Sequence, residues 1–182
     1  MALPANVTTG IWTLDASHSE IGFTVRHAGI SKVRGQFTDA AATLDLAENV
    51  TDSKVNASIK TASFDSGDAN RDGHVRGEDF FDVETFPEIS FASSTIVPKG
   101  DAYELQGDLT IKGITRPVAL ETEFNGVAVD PFGNTRAGLS AETTISRKDF
   151  GLTWNAVLEA GGVLVSDKVA INLELAFIAP AA

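Results

Sequence analysis

Glu20-Ile21-Gly22-Phe23-Thr24-Val25-Arg26-His27 puts Ile21, Phe23 and Val25 on one side of an extended chain and Glu20, Gly22, Thr24 and Arg26 on the other. Period-two alternation marks a β-strand with one apolar face, because successive side chains leave a pleated strand on opposite sides. The pattern recurs at residues 43–46, 54–63, 88–96, 103–112, 118–124 and 138–147. It is cleanest at 168–178, where Val169, Ile171, Leu173, Leu175 and Phe177 alternate with Lys168, Ala170, Asn172, Glu174 and Ala176. Turn-forming residues separate the runs: Pro98-Lys99-Gly100-Asp101, Asn125-Gly126 and Pro131-Phe132-Gly133-Asn134. Residues 112–117 read as a short hairpin connection. Evenly spaced strands joined by turns predict an antiparallel sandwich or up-and-down barrel, not βαβ units.

Residues 65–86 break the alternation. Two stretches there, 68–76 and 77–83, can each form a helical turn. Phe80, Phe81 and Phe86 are too much aromatic surface to leave in water, so part of the segment is expected to fold onto the strands. The chain shows no linker, low-complexity tract or internal repeat, and 182 residues fit one domain.

Composition removes several functions. The net charge is −11, which argues against a phosphate-reading nucleic-acid surface and against docking on anionic lipid. With no cysteine, thiolate chemistry, disulfides and Cys-based metal sites are absent. Met1-Ala2-Leu3-Pro4-Ala5-Asn6 lacks the basic and apolar regions of a secretory signal, so a native start predicts a cytoplasmic protein; a removed leader would overturn this. No segment has the length and apolarity of a membrane span.

The motifs that could carry chemistry have plainer readings. Asp68, Asn70, Asp72, Gly73 and Asp79 fall at positions of a calcium loop. The Asp in the last position, Arg76 among the ligand positions and the missing flanking helices favour a polar segment with capping Asp residues. His18, His27 and His74 lack metal-ligand spacing, and no metal is expected. His27 continues the Ile21-Phe23-Val25 face, so it is either a structural histidine or a hydrogen-bonding contact for a ligand's polar end. Gly138-Leu139-Ser140-Ala141-Glu142 lacks the final Gly of a nucleophile elbow and lies in a strand pattern. No carboxylate pair stands out as an acid/base couple.

Several segments together resemble the bacterial YceI-like family. They are Trp12 to Phe23 running on to Arg26-His27, with Arg34-Gly35-Gln36-Phe37; Arg71-Asp72-Gly73-His74-Val75; Asp79-Phe80-Phe81-Asp82-Val83 with Phe86-Pro87-Glu88-Ile89-Ser90-Phe91; residues 109–118; and residues 146–152. The resemblance runs in order from about Trp12 to Phe177. It implies an extended antiparallel lipocalin-like β-barrel of about eight strands, with short helices in the connection between Asp65 and Phe86. The whole chain, 1–182, would be one such domain, the barrel proper at about 11–178. It further implies a non-catalytic binding protein that holds a polyisoprenoid, isoprenoid quinone or related lipid, for carriage, storage or sequestration. Many members of the family are periplasmic and several are dimers; no cofactor is implied beyond the bound lipid. The competing readings are an enzyme acting on an apolar substrate in the tunnel and a packed-core stress-response module without a ligand.

On that reading the inward rows supply the lining: Phe23, Val25, Phe37, Ile89, Phe91, Leu109, Ile111, Leu120 and Phe124. Phe80, Phe81 and Phe86, and Phe150 with Trp154, would close the ends. His27, Arg26, Arg71 and His74 are the candidates for a head group, His27 ahead of Arg26, which alternates outward. A core side chain and a ligand-lining side chain share one pattern, so alternation alone leaves a filled and a hollow interior equally open.

Overall fold

The computed structural model describes residues 1–181. The strands are β1 (Gly10–Leu14), β2 (Glu20–His27), β3 (Ser31–Phe37), β4 (Ala40–Leu46), β5 (Lys54–Lys60), β6 (Phe64–Asp65), β7 (Glu88–Lys99), β8 (Ala102–Ile111), β9 (Ile114–Val129), β10 (Thr135–Ser146) and β11 (Val165–Ile178). Their order is β1-β4-β5-β7-β8-β9-β10-β11, and β11 pairs back onto β1 through Thr13↔Ile178 and Leu14↔Phe177. That contact closes a ring of eight antiparallel strands. Closure removes the unpaired edges that an open sheet would expose.

β1 and β2 are two halves of one bent strand. A 3-10 turn at Ala16–His18 breaks it, with Asp15 as the cap. Both halves stay on β11: β2 pairs along Val165 to Glu174, and β1 takes over at Phe177. β3 and β4 bend in parallel with them, so β3 leaves the ring with β2 and extends the wall at one end. The short β6 covers only Gln36 and Phe37 of β3, which leaves Ser31 to Gly35 as an open edge.

The break in alternation is one α-helix, α1 (Ala69–Arg76), followed by turns. Asp68 caps it by accepting from Arg71 N at 2.9 Å. The second stretch, expected as a helical turn, is a non-helical turn in which Phe80 N and Asp82 N both return to Gly77 O. Gly77, without a Cβ, caps α1 and receives these bonds. The Asn125-Gly126 pair is also not a turn between strands. β9 runs through it as a bulge: Asn125 is the extra residue, Gly126 has φ +126°, and the register to β10 shifts between Gly138 and Leu139. The β8–β9 connection is tighter than expected. Only Lys112 and Gly113 lie between Ile111 and Ile114, both at positive φ, as a two-residue hairpin demands.

Two apolar clusters stiffen the barrel. One packs Phe80, Ile89, Leu109, Ile111, Phe150 and Leu152 beneath the helical connection. The other packs Trp12, Leu44, Ala137 and Phe177 toward the opposite end. Trp12 is fully buried and its Nε1 donates to Thr8 O at 3.0 Å, so the indole pays no polar penalty.

Candidate functional site

The barrel is hollow. A cavity of about 760 Å³ runs through it, lined almost wholly by apolar side chains. Its wall is the set of inward rows. β2 supplies Ile21, Phe23 and Val25, and β11 supplies Val169, Ile171, Leu173, Leu175 and Phe177. Except for Phe177 these residues are only half-buried. An inward-facing Leu or Ile in a packed core would be covered; here the lumen itself provides the exposed surface.

Small residues make the space. Ala40, Ala42, Ala57, Ala137 and Ala141 stand on the wall where larger side chains would meet across the barrel. Glycines let aromatic rings lie flat. Phe23 pairs with Gly35, and a Cβ at Gly35 would lie 2.4 Å from its ring. Gly107 similarly accepts the ring of Phe91, at 2.5 Å from a built Cβ.

The charged and imidazole groups on the wall gather at one end. β2 terminates there in His27, which pairs with Val165 of β11. Arg147, after β10, donates to the carbonyls of Leu152 (2.6 Å), Trp154 (2.9 Å), Ser166 (2.9 Å) and Val165 (3.2 Å). Trp154 meets His74 of α1 edge to face, with ring centroids 4.7 Å apart. Asp68, Asn70 and Arg71 of the same helical segment complete the mouth. Arg71 is anchored by Nε to Ser66 Oγ (2.6 Å) and by its guanidinium to Ser66 O (2.8 Å). His74 pairs with Asp79 at 2.9 Å. Arg147 is buried, and burial pushes its guanidinium down from its ordinary pKa while the nearby Asp167 opposes that shift.

Of the residues expected to line a tunnel, Phe23, Val25, Phe37, Phe80, Phe81, Ile89, Phe91, Leu109, Ile111, Leu120, Phe124 and Trp154 stand on the cavity wall. Phe86 and Phe150 do not. Phe86 covers Gly113 at the β8–β9 turn, and Phe150 is packed in the core cluster beneath the helical connection. His27, Arg71 and His74 meet at the mouth, where all three are exposed. Arg26 touches both the mouth and a shallow outer groove shared with Lys32, Arg34 and Lys168. Arg147 had no assigned role in the sequence reading. Its signal was available: it ends the inward row Ala137, Leu139, Ala141, Thr143, Ile145 just as His27 ends the row of β2.

The calcium-like residues have other duties. Asp68 caps α1, the buried Asp72 accepts from Ser66 N at 3.0 Å and Ser66 Oγ, and Asp79 holds His74. Among the described residues no group of three or more His, Asp or Glu side chains is placed to hold a metal ion.

The sequence profile of the YceI-like domain matches residues 12–177. A UPF0312 protein of Vibrio parahaemolyticus is 38% identical over 156 residues, covering 84% of this chain and 82% of that protein. A UPF0312 protein of Photorhabdus laumondii is 41% identical over 150 residues, covering 82% and 77%. Among solved structures, BcnA of Burkholderia cenocepacia superposes with a TM-score of 0.78 at 25% identity, over 90% of this chain and 98% of that one. A polyisoprenoid binding domain from Saccharophagus degradans, implicated in plant cell wall breakdown, shares the fold with a TM-score of 0.69 at 15% identity, over 93% and 98% of the two chains. A closed eight-stranded barrel with a matching profile over residues 12–177 places this chain in the YceI-like family.

Proposed function

We propose that the protein binds one long apolar chain, of the polyisoprenoid or isoprenoid-quinone class, inside the barrel and carries or sequesters it without chemical change. The observation that carries this reading is the hollow lumen of about 760 Å³ with half-exposed apolar walls. A void of that size is within the range of ligand sites and would be costly to leave filled with ordered water against Leu, Ile and Phe. Each ~100 Å² of ligand surface taken from water contributes about 2.5 kcal/mol, so a long tail drives binding with little polar help. The Saccharophagus domain, described as binding polyisoprenoids, has the same fold.

The polar end of the ligand sits at the mouth, within reach of His27, Arg71 and His74. Arg26 stands further out. The histidines and charged groups of the wall are at this rim, and the polar groups along the tail are the hydroxyls of Tyr103, Thr122 and Thr143, which supports carriage over catalysis.

Native mass spectrometry of freshly purified protein, followed by organic extraction, tests the reading. A retained mass that extracts as a prenyl-chain lipid is expected. Protein that flies at its chain mass and yields no lipid after incubation with isoprenoid quinones would sink the proposal.

A further inference from the structure

The mouth lies beside a surface whose charge opposes that of the whole chain. Arg26 of β2 faces Lys32 of β3 directly, Arg34 lies two residues further along the same face, and Lys168 of β11 joins them around one shallow groove. None of the four makes an ion pair among the described residues. The net charge of −11 argues against anionic lipid for the chain as a whole, but the charge is unevenly spread, and four cations without ion pairs on one patch concentrate positive potential there. Edge protection of β3 explains Lys32 and Arg34. It does not explain Arg26 and Lys168, which lie on strands paired on both sides, nor a like-charge pair placed directly across the ladder.

The same end carries exposed apolar side chains. Ile30, in the β2–β3 turn, is 86% exposed, and Val157 and Val163, paired across the loop before β11, are 85% and 48% exposed. The two tips are tied together, because Ala28 N donates to Leu164 O at 2.7 Å. Both border the cavity, which reaches His27 and Leu164. Phe132, Val129 and Ile11, at the other end, are also exposed, but the adjoining turn carries Asp130, and Arg136 beside it is consumed by Asp15 and Asp130.

We infer that this rim is a membrane-docking face: Ile30, Val157 and Val163 enter the head-group layer of an anionic bilayer while Arg26, Lys32, Arg34 and Lys168 lie against its lipid head groups, presenting the mouth to the membrane. The occupant is fixed by the combination of cations, protruding aliphatic side chains and an apolar lumen opening between them. Glu159 on the same loop, Glu20 in the groove and Asp167 next to Lys168 reduce the attraction and leave the four cations in excess. The inference extends the lipid-carrier reading, since a carrier must meet the phase that holds its cargo.

Vesicle flotation tests it with the full chain. Phosphatidylcholine vesicles are compared with vesicles of phosphatidylcholine and phosphatidylglycerol, at low and high salt. Binding to the anionic vesicles is expected, falling with salt. Lys32→Glu with Arg34→Glu should weaken it by at least about tenfold, given the contribution of each basic side chain near such a surface. Ile30→Asp should weaken it at both salt concentrations. Lys32→Glu turns the like-charge pair with Arg26 into an opposite-charge pair, so this variant keeps its fold, checked by its melting temperature. Failure of the wild type to float, equal binding to both vesicle types, or undiminished flotation of the charge-reversed variant overturns the inference. So does concentration-dependent dimerisation that the charge reversal abolishes while flotation persists. Lipid recovered from protein that does not float would reject the docking face and leave the carrier reading standing; flotation of protein that carries no lipid would do the reverse.

Discussion

The guanidinium of Arg147 donates to the carbonyl of Trp154 across 2.9 Å, and through that bond a buried cation fixes the aromatic wall of the cavity mouth. The same side chain gathers the carbonyls of Leu152, Val165 and Ser166, so it pins the loop after β10 to the start of β11. Arg147→Met fills similar volume but takes the side-chain donor from Leu152 O, Trp154 O and Ser166 O, while Val165 O keeps the bond from Asn155 Nδ2 at 2.7 Å. At roughly 1 kcal/mol for each of these three carbonyls the variant should lose about 3 kcal/mol of stability, a drop of roughly 6–12 °C in melting temperature. Trp154 fluorescence should shift to the red as the indole loses its packing against His74. Unchanged emission with a lowered melting temperature would separate a purely structural Arg147 from one that shapes the mouth.

Phe23 lies flat because its cross-strand partner is Gly35. A Cβ at Gly35 would approach the ring to 2.4 Å and Asp65 O to 2.8 Å. Gly35→Ala therefore tilts Phe23 into the lumen and strains the β3–β6 pairing, at a cost of about 1–3 kcal/mol. Affinity for an apolar fluorescent probe should fall together with the denaturation midpoint. Phe23→Leu should recover part of both losses in the double variant, because the two side chains compete for one space. Strict additivity would show that the contact does not set the lumen's width.

Ala57, on β5, faces the lumen between its register partners Ala42 and Phe91. Ala57→Phe places a ring across the cavity. In delipidated protein the added apolar contact should leave stability unchanged or raise it by about 1 kcal/mol. The lipid recovered by extraction should fall by most of its amount. A loss of stability in the empty protein would mean that the lumen is narrower at this level than its lining indicates.

Seven of the ring's eight strands could be read from residues, because one face of each is apolar and the other is not; β1, only five residues long, was not among them. β3 escaped that reading for a physical reason. Its inward row is Val33, Gly35 and Phe37, and the central apolar position is vacated for the ring of Phe23. Asn125-Gly126 was misread because a bulge and a turn ask the same thing of glycine, a backbone at positive φ. At the site, His27 is legible as the polar end of an inward row, while Arg147 takes the matching place just past β10, in a 3-10 turn where the alternation has already ended. Whether the barrel is hollow could not be read from alternation. It depends on which wall positions carry alanine once the strands are in register, as where Ala42 pairs with Ala57. The basic groove was hidden for a related reason: Arg26, Lys32, Arg34 and Lys168 are distant in sequence and converge only through the β3–β2–β11 ladder.

At the corner opposite the mouth, Arg136 joins Asp15, which turns β1 into β2, to Asp130 in the β9–β10 turn. Hydrogen bonds from Ser17, then His18 and Arg136, hold the Asp15 carboxyl well below the usual carboxylate range. Asn134, then Arg136, do the same for Asp130. Both folded pKa values lie below those of the unfolded chain, so both carboxylates contribute stability that is fully present above pH ~4. That contribution shrinks as the pH falls below ~4 toward the depressed folded values, because the unfolded chain takes up protons first. Asp15→Asn removes one of the two acids. The variant should be less stable than the wild type at neutral pH, should lose less between pH ~4 and ~2, and should converge on it at the acid end. Urea titrations across that range give the slopes. Parallel wild-type and variant curves would show that the corner is held by its backbone bonds, such as Asp15 N to Ala176 O at 2.8 Å, and not by its charges.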